Sequence, residues 1–231
     1  MTQAEPVPPG YGHMIIRAFL APVALIAVLF VAAGRWDYWQ GWVYVSLSLL
    51  QLAYMAVKSW QDPSLAEERL KPGQGMKSWD KLYFALSTPM YLVCLVIAGH
   101  DARHGWTGGL PWPLYLGGLV AYLVGQAIFL WARFTNRYFS SVVRIQADRG
   151  QTVCRDGPYR YVRHPGYTGG ILFAASMGLV LGSIWATAPQ LIASLLLVWR
   201  TALEDKMLQA ELAGYAEYAR ETRYRLVPGV W

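Results

Sequence analysis

The sequence predicts an all-α, polytopic integral membrane protein with four full transmembrane helices, a short C-terminal helical hairpin and an amphipathic C-terminal helix. Of its 231 residues, 55% are hydrophobic and 15% are charged, whereas about 25% are charged in a typical soluble domain. The chain also holds 11 Trp and 15 Tyr, many near the ends of apolar runs, where aromatic rings suit the membrane–water boundary. An unusually aromatic soluble helical protein is the alternative, and the length of the apolar runs disfavours it.

Four long apolar runs supply the full spans. They cover residues 18–33, 41–57, 82–99 and 113–131, and each is close to the ~20 residues that cross a bilayer as a helix. The first run could be a signal peptide, but the further runs favour a retained helix. The first dozen residues are rich in proline and predict a loose tail.

Two shorter apolar runs follow and predict the hairpin. They cover residues 167–181 and 184–199, and Gly182 and Ser183 separate them. About 15 helical residues span only ~23 Å, which is short for a hydrocarbon core of ~30 Å. Whether or not it crosses fully, the hairpin returns the chain to the side that it left.

A charge asymmetry predicts the orientation of the spans. If the N-terminus lies inside, 18 of the 20 Lys and Arg residues fall on inner segments, and only Arg35 and Arg103 fall on outer loops. Cytoplasmic loops carry such an excess, so both termini are expected to be cytoplasmic. The same loops explain the net charge of +6. Nucleic acid is not an expected partner, because it would need a basic face on a soluble domain.

The cysteines and histidines indicate neither a disulfide framework nor a metal site. The two cysteines are Cys94, inside an apolar run, and Cys154. His100 and His104 are four residues apart, but the glycines around them predict a short loop. No metal cofactor is therefore expected.

The polar chemistry is concentrated in residues 135–231, which are predicted to form a cofactor-binding catalytic region after the N-terminal transmembrane helices of residues 1–134. Two inner segments stand out, the loop of residues 135–165 and the tail from Arg200 onward. They flank the hairpin, so they are expected to lie near each other at one membrane face.

A helix is predicted to begin beside His164. Pro165 disfavours a helical conformation at His164 and suits the first turn of a helix, so His164 is expected at the cap. A helix start offers free N–H groups and partial positive charge to an anion such as a carboxylate. The nearby Gly166, Gly169 and Gly170 allow either a ligand or a neighbouring helix to approach, and the pattern alone does not choose between them.

Arg200 and Glu204 form the second candidate site. They lie four apart on one helix face, at the end of an apolar run. Ionisable groups at membrane depth are candidates for function, while a snorkelling Arg beside a solvated carboxylate is the alternative. Leu208, Leu212 and Tyr215 continue the face of Glu204 as an amphipathic stripe, which predicts packing rather than chemistry.

Together the two segments resemble a known family. Gly157-Pro158-Tyr159 is followed by His164-Pro165-x-Tyr167-x-Gly169. An Arg200-x-x-x-Glu204 pair and a closing Gly214-Tyr215, Tyr218, Arg225 and Pro228 come later. In this order and membrane context the pattern resembles the isoprenylcysteine carboxyl methyltransferase family and its phospholipid methyltransferase relatives. The resemblance covers residues 136–228.

The resemblance implies an S-adenosylmethionine pocket at the cytoplasmic face. Its lining would include Gln151, Thr152, Val153, Cys154, Tyr159, His164, Pro165, Gly166, Tyr167 and Glu204. Arg144 would also contact the cofactor, although it stands where the eukaryotic carboxyl methyltransferases have a glutamine. Arg200 and Glu204 would be catalytic, with Arg200 facing the methyl acceptor. Asp205 replaces the second residue of the family's usual Glu-Glu pair, which shortens its reach.

The predicted function is transfer of a methyl group to a lipophilic or small membrane-accessible acceptor. The acceptor atom could belong to a carboxylate, a thiol or an amine, so a small-thiol S-methyltransferase or a phospholipid N-methyltransferase of the same fold is an alternative. The bilayer and the acceptor are the expected partners. A transporter or binding protein without chemistry is disfavoured, because the chain shows no internal repeat and its polar residues collect at one face.

Overall fold

The computed structural model describes residues 11–61 and 75–231, and within them the chain forms seven α-helices and no strand. The helices are α1 Tyr11–Ala33, α2 Trp39–Gln61, α3 Ser78–His104, α4 Trp112–Thr135, α5 Pro165–Val180, α6 Thr187–Glu211 and α7 Tyr215–Glu221. The all-α prediction is confirmed over these ranges. The first ten residues of the predicted tail, and the inner-segment residues Arg69 and Lys71, lie outside the described residues.

The four long apolar runs all fall inside helices, α1 to α4 in order. In the described part of the chain, α3 and α4 are long and apolar enough to cross a membrane, with mean hydropathy of 1.8 and 1.7. Only 22% of each apolar stretch is buried, whereas the core helix of a soluble protein would be mostly covered. Four full spans are not confirmed, because α1 and α2 do not meet the same test over their described residues.

Glycines let α4 and α5 pack with their backbones in contact. A Cβ on Gly169 of α5 would lie 2.5 Å from both the Gly125 carbonyl oxygen and the Phe129 nitrogen of α4. A Cβ on Gly170 would lie 3.2 Å from Leu197 of α6, and one on Gly166 would lie 2.6 Å from the Phe139 ring. Of the two roles left open by the sequence, the structure assigns helix packing to Gly169 and Gly170, whereas Gly166 packs against the Phe139 ring and also borders a cavity.

Replacing Gly169 with alanine should destabilise the helix pair by about 1–3 kcal/mol, because the new methyl group overpacks a backbone contact. Gly117 of α4 is the matched control, since a Cβ there meets open space. Gly117→Ala should be neutral or stabilise the helix by roughly 0.5–1 kcal/mol. Thermal unfolding of the two purified variants in one detergent checks this, and equal melting temperatures would contradict the packing role.

The hairpin is present, but its second arm is longer than predicted. α5 has 16 residues and α6 has 25, and the turn between them includes Gly182 at φ 73°. The apolar run ends at Trp199, yet the helix continues through Glu211. The second arm and much of the predicted amphipathic segment are therefore one helix.

The predicted stripe of Leu208, Leu212 and Tyr215 does not lie on one helix. α6 ends at Glu211, and Gly214 adopts φ 79°, so the chain turns before α7 begins at Tyr215. The three side chains are nonetheless buried in one apolar cluster with Val143 and Tyr218. The expected packing role is confirmed, and the single amphipathic helix is corrected to two helices.

His100 and His104 were expected in a loop, but both lie in the last turns of α3. Their rings stack on each other and on Trp106, with centroids 5.8–6.1 Å apart. Gly99 lies within this helix because the backbone of α1 packs against it. A Cβ there would lie 2.7 Å from the Leu29 carbonyl oxygen and 2.8 Å from the Ala33 nitrogen. Tertiary packing thus overrides the local signal for a loop.

Candidate functional site

A cavity opens where the loop after α4 meets the start of α5, the end of α6 and α7. It contains about 760 Å³ of empty space, including its open mouth. Its wall comes from two stretches of chain, residues 136–167 and 204–218. The two predicted polar segments therefore meet at one place.

Gln146 organises the loop that forms one wall. The side chain is almost fully buried, and its Nε2 donates to the Tyr138 carbonyl at 2.8 Å. Its backbone N–H donates to Oε1 of Gln151 at 2.7 Å, and its own Oε1 accepts from Arg149. Sequence reasoning singled out Arg144 in this loop and missed Gln146, which lines the same cavity two residues later.

The start of α5 forms the floor of the cavity. His164 is the N-cap residue and Pro165 is the first helical residue, as predicted. The backbone N–H groups of Arg163 and His164 donate to the carbonyls of Tyr224 and Arg225, each at 2.9 Å. The C-terminal segment thus holds the helix start in place.

Asp205 is the electrostatic centre beneath this floor. It is fully buried and accepts two hydrogen bonds from Arg163, at 2.7 and 2.9 Å, and one from Arg225 at 2.9 Å. Nε2 of His164 and the Tyr215 hydroxyl lie 3.2 and 3.1 Å from its Oδ1. Burial acts to raise the pKa of Asp205, but the hydrogen bonds from His164, Arg163 and Arg225 outweigh it and hold that pKa well below its usual range.

Glu204 turns the other way, toward the cavity. Its carboxylate is half-buried and accepts a hydrogen bond from the Tyr167 hydroxyl. The Tyr167 ring stacks parallel to that of His164, with centroids 5.7 Å apart. Adjacent residues on α6 therefore serve different purposes, with Asp205 inside the protein framework and Glu204 at the cavity wall.

Arg200 lies one turn before Glu204 but does not line the cavity. Its Nε donates to Oδ1 of Asp80 at 2.7 Å, and its Nη2 donates to the Ser141 carbonyl at 2.8 Å. The guanidinium carbon lies 4.6–5.3 Å from the ring centroids of Tyr83, Phe84 and Tyr167. Arg200 is 5% exposed, so the snorkelling alternative is wrong, and its ion-pair partner is Asp80 rather than Glu204.

The comparisons with known proteins point to one family. Residues 118–210 match the sequence model of the isoprenylcysteine carboxyl methyltransferase family. This region is similar to that family. Two similar relatives are the probable protein-S-isoprenylcysteine O-methyltransferases of Oryza sativa subsp. indica and subsp. japonica. Each is 33% identical over 84 residues, which cover 36% of this chain and 42% of the relative, so the match spans less than half of either relative.

The matched region contains the whole predicted site, and the resemblance inferred from the sequence is confirmed. The predicted residues that line the cavity are Arg144, Gln151, Thr152, Val153, Cys154, Tyr159, His164, Gly166, Tyr167 and Glu204. Pro165 and Arg200 lie outside its lining. Lining residues that sequence reasoning did not place at the site are Asn136, Tyr138, Phe139, Ser140, Val142, Val143, Gln146, Arg163, Leu208, Leu212, Tyr215 and Tyr218. Their position was the one signal that could have found them, since all of them fall in the two polar segments marked from the sequence.

Methyltransferases of this family use S-adenosylmethionine as the methyl donor, and the cavity fits that molecule. The half-buried carboxylate of Glu204 suits hydroxyl or ammonium donors, and the start of α5 at Gly166 suits a carboxylate. The apolar surfaces of Val153, Leu208 and Leu212 suit a flat base. The lining is therefore compatible with the enzyme class and cofactor predicted from the sequence.

Proposed function

We propose that this chain is an integral membrane methyltransferase that uses S-adenosylmethionine at the cytoplasmic face. One observation carries the proposal: the two motif segments, some forty residues apart, close around a single cavity, and most of its lining lies within the matched residues 118–210. Bound S-adenosylmethionine would supply an electrophilic methyl group on its sulfonium. The chain would align that group with the acceptor and exclude water, and such alignment is a large part of catalysis in a displacement reaction.

The proposed roles follow the cavity wall. Gly166 and Tyr167, at the start of α5, would hold the methionine end, and Glu204 would bind a polar part of the cofactor. Gln151, Thr152, Val153 and Cys154 would line one side, with Tyr159 and Arg144 nearby, and all of them border the cavity. The ring of His164 would support this arrangement through its bonds to Asp205 and Tyr215, and Pro165 by fixing the helix start.

The Glu204→Ala variant should bind S-adenosylmethionine about tenfold to a hundredfold more weakly, because a hydrogen bond to a charged partner contributes roughly 1.5–3 kcal/mol. Isothermal titration calorimetry on purified protein checks this. Glu217→Ala on α7 is the control, since that carboxylate is 63% exposed and lies 3.7 Å from Arg155. His164→Ala should also weaken binding. If both site variants fold and bind like the parent, the pocket is misassigned.

The membrane proposal draws on the surface of the helices as well as on the family. Exposed tryptophans Trp36, Trp106 and Trp185 lie in the connections α1–α2, α3–α4 and α5–α6, and the exposed Trp112 begins α4 beside the second of them. These connections meet at one end, where the Ile184 N–H donates to the Thr107 hydroxyl at 3.2 Å. Aromatic rims mark membrane interfaces, and the cavity lies at the opposite end. This arrangement supports four spans with the site facing the cytoplasm.

Reporter fusions should place both termini in the cytoplasm. The expected result follows from the excess of Lys and Arg on the segments at the cavity end. An alkaline phosphatase fusion at the C-terminus should be inactive, and a green fluorescent protein fusion should be bright. Fusions truncated in the α3–α4 connection serve as the outward control. An active phosphatase at the C-terminus would overturn the orientation.

The acceptor proposed first is an isoprenylated cysteine carboxylate, because the relatives are named for O-methylation of isoprenylcysteine. A carboxylate acceptor needs no strong base, and a lipophilic chain can reach the site from the bilayer. The decisive experiment incubates purified protein with methyl-labelled S-adenosylmethionine and N-acetyl-S-farnesylcysteine, extracted membrane lipids or small thiols in parallel. Label in the farnesylcysteine methyl ester supports the proposal. Label found only in a lipid amine or a thiol would show that the proposed acceptor is wrong.

A further inference from the structure

Asp80 is a buried carboxylate outside every motif that marks the site. It lies in the first turn of α3 and is 0% exposed. Its Oδ1 accepts from Nε of Arg200 at 2.7 Å, and its Oδ2 accepts from the backbone N–H of Val143 at 2.8 Å. One carboxylate therefore holds a side chain of α6 with one oxygen and the cavity loop with the other.

A third contact closes the arrangement into a triangle. Nη2 of Arg200 donates to the Ser141 carbonyl at 2.8 Å, two residues before the amide that Asp80 binds. α3, α6 and the loop are thus tied pairwise by three hydrogen bonds. Val142 and Val143 line the cavity, and Glu204 follows Arg200 by one turn on α6. Asp80 consequently fixes the cofactor wall relative to the residue proposed to face the acceptor.

We propose that Asp80 is a positioning residue for methyl transfer, which holds Arg200 and the loop of residues 141–143 in register so that acceptor and cofactor align. This inference rests on the proposed function and adds to it a residue from the N-terminal helices. Alignment is demanding, because a misplacement of about 1 Å can lower a rate by roughly 10²-fold. A buried ion pair is by itself a weak source of net stability. We therefore attribute the two contacts of Asp80, to Arg200 and to the Val143 N–H, to positioning rather than to stability.

The Asp80→Asn variant separates the two arms of the carboxylate. The carbonyl oxygen of the asparagine can still accept from the Val143 N–H. Its NH₂ group, however, would face the N–H donors of Arg200, and an arginine side chain has no hydrogen-bond acceptor. We expect kcat with N-acetyl-S-farnesylcysteine to fall by about 100-fold, while the affinity for S-adenosylmethionine in calorimetry changes little. Asp80→Ala cuts both arms, so kcat and cofactor affinity should fall together.

Asp101 provides a matched control on the same helix. It is 3% exposed and accepts from the backbone N–H of Thr107 at 2.7 Å at the far end of α3. Asp101→Asn should lower the melting temperature, but it should not lower kcat more than it lowers cofactor affinity. If Asp80→Asn behaves like Asp101→Asn in both quantities, Asp80 is only structural and the proposal is overturned.

Two further measurements keep the test decisive. In Asp80→Ala without ligand, the peptide containing residues 141–143 should exchange its amide hydrogens faster than in the parent, and unchanged exchange overturns the proposal whatever the activity. If Asp80→Asn or Asp80→Ala fails to fold, Asp80→Glu keeps the charge, and it should bind cofactor but turn over slowly. A parent protein that neither binds cofactor nor transfers methyl would defeat the proposed function, while the exchange result would still report on Asp80.

Discussion

Replacing Asp205 with alanine should destabilise the cavity end of the protein more than any exposed substitution there. The change leaves the guanidinium of Arg163 buried without its carboxylate and also releases Arg225. Removing one partner of a buried ion pair costs about 3–5 kcal/mol. The measurement is thermal unfolding of the purified variant in detergent, followed by tryptophan fluorescence. Cofactor binding should weaken as well, because the start of α5 loses its support.

Glu221→Ala is the control for this prediction. Glu221 pairs with Arg155 at 2.6 Å, but its side chain is 56% exposed, and such pairs contribute about 0–1 kcal/mol. Its melting temperature should stay close to that of the parent. If the Asp205→Ala and Glu221→Ala variants have the same melting temperature, the buried network around Asp205 does not stabilise the fold.

The Arg200→Ala variant should lose turnover far more than cofactor affinity. Arg200 lies off the cavity lining, and without it the cavity loop keeps its other tie, from the Val143 N–H to Asp80, so we expect cofactor affinity to change less than turnover. The loss of Arg200 would misalign the acceptor with the methyl group, and a misplacement of about 1 Å can lower a rate by roughly 10²-fold. The rate with N-acetyl-S-farnesylcysteine and the affinity for S-adenosylmethionine should be measured on the same purified variant.

Arg200→Lys sharpens the comparison. Lysine keeps a positive charge for Asp80 but lacks the planar fork that reaches both Asp80 and the Ser141 carbonyl. It should restore the melting temperature more fully than it restores turnover. Equal losses of rate and cofactor affinity in Arg200→Ala would indicate a structural ion pair alone. No loss of either would remove Arg200 from the site.

Much of the helical frame could be predicted because its signals are local. Apolar runs marked α1 to α4, and Pro165 fixed the start of α5 at His164, since proline limits both its own φ and the residue before it. Local signals also misled. Glycines beside His100 and His104 predicted a loop, but α1 packs against Gly99 and the helix continues.

The pairings within the site could not be predicted, because they join residues far apart in the sequence. Asp80 and Arg200 are separated by 120 residues, and spacing along one helix suggested Glu204 as the partner instead. The sequence also could not show that Asp205 is buried against Arg163 while Glu204 lines the cavity, because this depends on which side of α6 faces Arg163. Motif positions located the cavity, and only the tertiary structure identified its internal supports.

The unequal lengths of the two hairpin arms have a consequence for kinetics. α6 outlasts α5 by nine residues, or about 13 Å, so the floor of the cavity is recessed relative to the end of α6. Under the proposed function, a water-soluble donor and a bilayer-dissolved acceptor would reach the same point from two phases. For the donor the relevant concentration is molar, but for the acceptor it is a mole fraction among lipids. Diluting the membrane with inert lipid at constant total acceptor would slow such an enzyme as effectively as an inhibitor.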